Sequence, residues 1–253
     1  MVTERQAVTL TVEEQIAWIT LADVERRNSL NPALVGQLAE ACAEITRARE
    51  ASVVVLRAEG PVFSAGGDLG SLGVPADDPT AVYRGFEALA GLPIPVLAAV
   101  HAPVIGAGVS FVLACDVVVA ARSATFDPRF LDVAIHPGGG HMWRLEQRVG
   151  RQGVAAMVLF GDVLTAEEAE LRGLVWRSVE DDELLDVVRR MAARVAGRSP
   201  ELVRRTKATM RLSRALTDPA MAADIERIGQ DWSARQPAHA EAVARLRDRI
   251  RRR

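Results

Sequence analysis

Apolar and polar positions along the chain change period several times, and each change predicts an element. Val8, Leu10 and Val12, then Ile16, Trp18 and Thr20, alternate as strands do, with the polar turn Glu13-Glu14-Gln15 between them. A hairpin over residues 8–22 follows. Asn31-Pro32 opens a helix, Asn as cap and Pro at its first position, and the apolar spacing carries it to about residue 49. The run at 52–58 (SVVVLRA) is a buried strand ended by Glu59-Gly60-Pro61. A helix is expected over 80–89, after a loop holding Pro75, Asp77, Asp78 and Pro79.

The chain is organised around residues 95–121, PVLAAVHAPVIGAGVSFVLACDVVVAA. A β-branched run at 96–100 breaks at Pro103 and Gly106-Ala107-Gly108; an apolar helical segment to Cys115 and a second β-branched run at 117–119 follow. A strand that ends in a glycine turn and opens a helix leaves free N–H groups at the helix start, where negative charge is stabilised. Glycines let a ligand approach the backbone. Such a device is either an oxyanion hole or a tight turn without chemistry.

Farther on, residues 124–126 and 130–135 read as short extended pieces, and His136-Pro137-Gly138-Gly139-Gly140 introduces a helix to about residue 149. Thr165 and Glu168 form a capping box, and 175–179 is a last short strand. Helices are expected at 182–196, 200–213, 219–235 and 237–252. The change to mostly helix predicts a β/α core over residues 1–195 and a helical part over 196–253 suited to oligomer contacts.

Composition narrows the class. With 49% hydrophobic and 25% charged residues and a net charge of −2, the chain reads as a globular protein, with neither a nucleic-acid nor a membrane surface as partner. No run reaches the roughly 18 apolar residues of a membrane span. Cys42 and Cys115, the only cysteines, sit in apolar helical settings and fit free thiols in the cytoplasm. No G-x-G-x-x-G follows the first strand, which speaks against a nicotinamide dehydrogenase. His136 and His141 lack zincin spacing, so no metal is expected.

Several segments occur in a telling order: ERRNSLN (25–31), FSAGGDL (63–69), GAGVSFVLACDVVVA (106–120), HPGGGHMWRL (136–145) and TAEEAELRGLVWRSV (165–179). Together they resemble the enoyl-CoA hydratase/isomerase, or crotonase, family over essentially the whole chain. The resemblance implies an α/β fold, a crotonase-like spiral of ββα units with a helical C-terminal region forming trimers, often paired into hexamers. It implies an acyl-CoA thioester as substrate, with no cofactor beyond the coenzyme A it carries. By position, the N–H groups of Gly67 and Ala107 would hold an enolate oxygen. Arg26 and Ser29, with Ala65, Gly67, Asp68 and Leu69, would contact coenzyme A. Arg26 alternatively is a solvated turn charge, and Asp68 a cap for a helix after FSAGG.

Hydratases of this family use two glutamates as acid and base. The matching positions here are Ser110 and Phe130, and neither residue replaces a carboxylate. Ser110 would position a water or a carbonyl, or simply pack; without glycines two residues to either side it is not a nucleophile elbow, and a serine hydrolase is not expected. A third position, acidic in some relatives of other chemistry, is Gly138. Three groups could substitute, Asp132, His136 and His141, and the two histidines flank the glycine run. Asp132, two residues past Phe130 and on its side of an extended segment, is the preferred titrating group, or else a loop or trimer-contact carboxylate. The expected activity is nominally hydration of 2-enoyl-CoA; the alternative is an acyl-CoA carrier or regulator with little catalysis.

Overall fold

The computed structural model describes residues 6–68, 70, 78 and 80–251. The predicted hairpin forms from β1 (Val8–Glu13) and β2 (Ile16–Leu21), paired from Val8 opposite Leu21 to Glu13 opposite Ile16. Glu14 and Gln15 turn it with φ of 50° and 64°, the left-handed pair that a two-residue hairpin requires. Helix α1 (Pro32–Ala48) starts where Asn31 Oδ1 accepts the Leu34 N–H at 3.0 Å, satisfying one orphan donor of the first turn.

Four parallel strands extend the hairpin: β3 (Val53–Ala58), β4 (Val96–Val100), β6 (Val117–Ala121) and β9 (Arg177–Val179), in the order β1-β2-β3-β4-β6-β9. Successive side chains point to opposite faces, and both faces are buried. Ala17, Ile19, Val54, Leu56, Ala98, Val118 and Ala120 join the core that holds α1 and α3 (Val109–Ala114). Ile16, Trp18, Val53, Val55, Leu97 and Val119 face Leu184, Val187 and Val188 of α6 (Leu184–Ala196). Covering on both sides is why these strands read as continuous apolar runs.

A second, three-stranded sheet, β5 (Val104–Ile105), β7 (Thr125–Asp127) and β8 (Leu164–Thr165), carries the chain around the glycine turn. Helices α2 (Arg84–Gly91), α4 (His141–Val154) and α5 (Ala166–Leu171) complete this unit. Thr165 and Glu168 make the expected reciprocal cap on α5. The helix expected to stop near residue 149 instead continues to Val154 through a break at Gly150, whose φ of 69° and ψ of 173° are not helical.

The chain divides into two compact units, Met1–Ala196 and Gly197–Arg253. The second consists, among its described residues, of α7 (Pro200–Ser213), α8 (Pro219–Ala234) and α9 (Pro237–Arg251). The Arg205 guanidinium lies 4.1 Å from the Trp232 ring centre, joining α7 to α8.

One expected strand is absent. Residues 130–135 are not extended: Leu131–Val133 form a 3₁₀ turn, and Ala134 is left-handed at φ 52°. Pro128 before the segment and Pro137 after it leave no room for a paired strand, and the Ile135 N–H closes the turn on Phe130 O at 3.1 Å. The extended-strand argument that put Asp132 on the side of Phe130 therefore fails.

Candidate active site

Three backbone segments converge. The Ala65 N–H donates to Arg27 O at 2.9 Å and the Leu30 N–H to Gly66 O at 2.7 Å, while the Ile105 N–H donates to Ser64 O at 2.9 Å. The 63–67 segment is thus laced between the 27–30 turn and β5. Buried Asn28 holds the turn, its Nδ2 donating to Glu59 O at 2.8 Å, and Ser64 Oγ donates to Asn28 O at 2.7 Å.

Gly66 is the tightest point. Its φ is +86°, and a Cβ there would lie 2.6 Å from Ile105 O and 3.1 Å from Ala107 N. Only glycine admits both the backbone angle and the approach. Gly67 is thereby brought against the glycine turn, where Ala107 occupies the first turn leading into α3. Among the described residues, no turn or loop carbonyl accepts the N–H of Gly67 or of Ala107.

Both residues line one cavity of about 490 Å³. Ala65, Ser110 and Asp132 line it as well, as do Phe130, His136 and Gly138, so eight residues singled out from sequence share one space. Leu30, Val82, Phe86, Phe130, Val133 and Ile135 make much of its wall apolar. Asp132 reaches it from the 3₁₀ turn and is exposed. Arg26 is exposed and Ser29 buried, and neither lines the cavity; the neighbouring Arg27 does. Asp68 is not a lining residue either, and its Oδ1 accepts the Gly70 N–H at 3.2 Å in a local turn. Leu69 and the helix expected after Asp68 fall outside the described residues.

Two further side chains bear on the site: Tyr83, which the sequence did not point to, and His141, weighed from sequence behind Asp132. His136, weighed with it, lines the cavity, whereas His141 contacts Ser110 without lining it. His141, the first residue of α4, is 1% exposed, and its Nδ1 lies 3.1 Å from Ser110 Oγ. Its N–H donates to Gly138 O at 3.1 Å, and its ring meets Phe130 edge-on with centres 4.8 Å apart. Burial pushes its pKa down to about 4, so the imidazole is neutral at ordinary pH. Nε2 is buried without a hydrogen-bond partner. Tyr83, which lines the cavity, has its hydroxyl in the space that a side chain at position 138 would fill. Gly139, at φ +63°, presses on Phe86 and Tyr83 in the same way, a Cβ there falling 2.5 Å from Phe86 Cζ. The glycine run before the helix was the available signal, since Gly138 and Gly139 are bare where large rings pack against them.

The model of the family described as Enoyl-CoA hydratase/isomerase matches residues 11–231. The chain belongs to this family. A probable enoyl-CoA hydratase of Mycobacterium tuberculosis (EchA14) is 34% identical over 252 residues, covering 96% of this chain and 98% of the relative. The 1,2-epoxyphenylacetyl-CoA isomerase of Escherichia coli is 34% identical over 194 residues, 73% of this chain and 74% of that one. Among solved structures, an enoyl-CoA hydratase from Bacillus anthracis superposes with a TM-score of 0.90 at 25% identity, covering 96% of this chain and 97% of its own. The fold is the crotonase-like α/β fold that the motif order implied. Among the described residues no helix is long and apolar enough to cross a membrane.

Proposed function

We propose that this member of the enoyl-CoA hydratase/isomerase family binds acyl-CoA thioesters and seats the thioester oxygen on the N–H groups of Gly67 and Ala107. Negative charge developing on that oxygen, as in an enolate, is stabilised there by two fixed donors, that of Ala107 at a helix start, which need no reorganisation during reaction. The observation that carries this reading is the approach of Gly66 to Ile105 and Ala107 at the wall of the cavity. Nothing in packing alone requires two backbone segments to meet so closely beside an open space. The relatives' names, an enoyl-CoA hydratase and an acyl-CoA isomerase, support thioester chemistry. Contacts of coenzyme A with the 26–29 turn, and assembly as a trimer or a pair of trimers, belong to the same proposal.

Hydration of a 2-enoyl thioester is expected to be slow, because Ser110 and Phe130 stand at the positions of the acid and base glutamates. Each such group contributes about 10²–10⁴-fold. Acetoacetyl-CoA tests the oxygen seat directly, since its enolate absorbs where the keto form does not. Bound to the protein it should show a raised enolate absorbance, and Gly66→Ala should abolish the rise. Binding with no change in the spectrum would sink the oxygen seat; no binding by calorimetry at millimolar ligand would sink the whole reading.

A further inference from the structure

We propose that Ser110 and His141 form an acyl-transfer pair, so that the cavity hydrolyses acyl-CoA thioesters through an acyl-serine. The proposal rests on the thioester-oxygen seat at Gly67 and Ala107 and adds a covalent step to it. Ser110 follows Ala107 by three residues, the spacing that puts both on one helix face, and both line the cavity. A nucleophile and an oxygen-binding N–H are thus presented to the same ligand.

The serine also has a base. Ser110 Oγ lies 3.1 Å from His141 Nδ1, within reach for proton transfer, and both side chains are buried. The residue is fixed by its backbone N–H on Gly138 O at the start of α4, and its ring packs against Phe130. Burial keeps it neutral, with its lone pair free, and also lowers its affinity for a proton, which makes it a weak base. Nε2 without a partner costs about 1–3 kcal/mol, which a residue present only to fill space beside Phe130 would avoid by being apolar. That same vacancy means no carboxylate orients the ring, so the pair is a dyad and its turnover is modest. The base comes from a different helix, which is why the lack of flanking glycines at Ser110 does not decide the matter.

The atoms balance without an oxidant or reductant. As Ser110 Oγ bonds to the thioester carbon, its proton passes to His141 Nδ1 and the carbonyl electron pair moves onto the oxygen held by Gly67 and Ala107. Reforming the carbonyl breaks the C–S bond, and the departing thiolate takes the proton from Nδ1 and leaves as coenzyme A thiol. Water then gives a proton to Nδ1 as its oxygen attacks the acyl-serine, and collapse returns that proton to Oγ. The net reaction is thioester plus water to carboxylic acid plus coenzyme A.

The test uses the full chain with butyryl-CoA and benzoyl-CoA, following thiol release and the mass of acid-quenched protein. Thiol should appear together with an acyl mass on the peptide that contains Ser110. Ser110→Ala should abolish both while still binding either thioester by calorimetry, and Ser110→Cys should still be acylated. His141→Gln should lower release by about 10²–10⁴-fold. Binding with the thioester left intact and no adduct overturns the pair while the oxygen seat, read by acetoacetyl-CoA, still stands. Release undiminished in Ser110→Ala overturns it as well. Failure of both thioesters to bind overturns this proposal and the preceding reading together.

Discussion

His141 should make the protein measurably acid-sensitive, by an amount its burial fixes. The imidazole is held neutral, with its pKa lowered from 6.5 to about 4 by loss of hydration. In the unfolded chain it regains its ordinary affinity for a proton. Between those two values the unfolded state binds a proton that the folded state does not, so stability falls as the pH is lowered through this window and levels off below it. From about pH 7.5 to about pH 5 the loss from this one group is about 2 kcal/mol, approaching roughly 3 kcal/mol at lower pH. In a chain of this size 2 kcal/mol corresponds to a fall of about 4–8 °C in Tm. The measurement is the difference between wild type and His141→Gln, which isolates this one group. Unfolding followed at both pH values should show the variant losing less stability on acidification, by about that amount. Equal losses in the two proteins would refute the neutral, buried imidazole, and an imidazole proton resonance of His141 that moves near pH 6.5 would refute it independently.

Gly138→Ala places a methyl on the Tyr83 hydroxyl and should cost about 1–3 kcal/mol; Tyr83→Phe in that background should recover part of the loss, since the hydroxyl is the nearest obstacle. Denaturant midpoints of the single and double variants decide it, and no recovery would mean the rings cannot be the neighbours described. Asn31→Ala removes the cap on α1 and the 2.9 Å hydrogen bond from Nδ2 to Asp23, and should lower stability by about 2 kcal/mol in the same assay. Light scattering at tens of micromolar protein should give a trimer or a multiple of it; Leu159, Phe160 and Trp176 of the first unit, each more than 60% exposed, are apolar surface that assembly would cover. A monomer at that concentration would contradict the proposed assembly.

What was legible in the sequence was local. The hairpin, the Asn31 cap, the Thr165–Glu168 box and the glycine turn at 106–108 each declare themselves within a few residues, because turn angles and orphan N–H groups select particular residues on the spot. Gly67 and Ala107 were named by the resemblance to the family; the glycine turn by itself marked only a backbone that can be approached closely. Residues 130–135 misled because Leu131, Val133 and Ile135 alternate like a strand, although all three are exposed in the monomer. The same alternation put Asp132 on the side of Phe130; both line the cavity, but by way of a 3₁₀ turn and not a strand. Tyr83 over Gly138 and Ser110 on His141 were not legible, since these partners are brought together only by the fold. Each residue alone carries a bland reading, and neither contact has a spacing rule that could announce it.

His141 touches both residues that the resemblance matches to the hydratases' glutamates: Ser110 at 3.1 Å and the ring of Phe130 at 4.8 Å between centres. The three residues therefore form one unit. A carboxylate at either position, beside a buried imidazole, would raise the pKa of that imidazole and hold it as a cation in an ion pair. The glutamate would then be tied to His141 and its own pKa lowered, which weakens it as a base toward water. Ser110→Glu with Phe130→Glu should consequently give little hydration of crotonyl-CoA, while adding His141→Gly, which removes the competing cation, should raise it by at least tenfold. Loss of the conjugated-thioester absorbance reads the rate, and circular dichroism confirms that each variant folds. Equal rates with and without His141 would show that the histidine is a bystander, and a brisk wild-type rate would show that the proton chemistry resides elsewhere, with Asp132 the next group to neutralise.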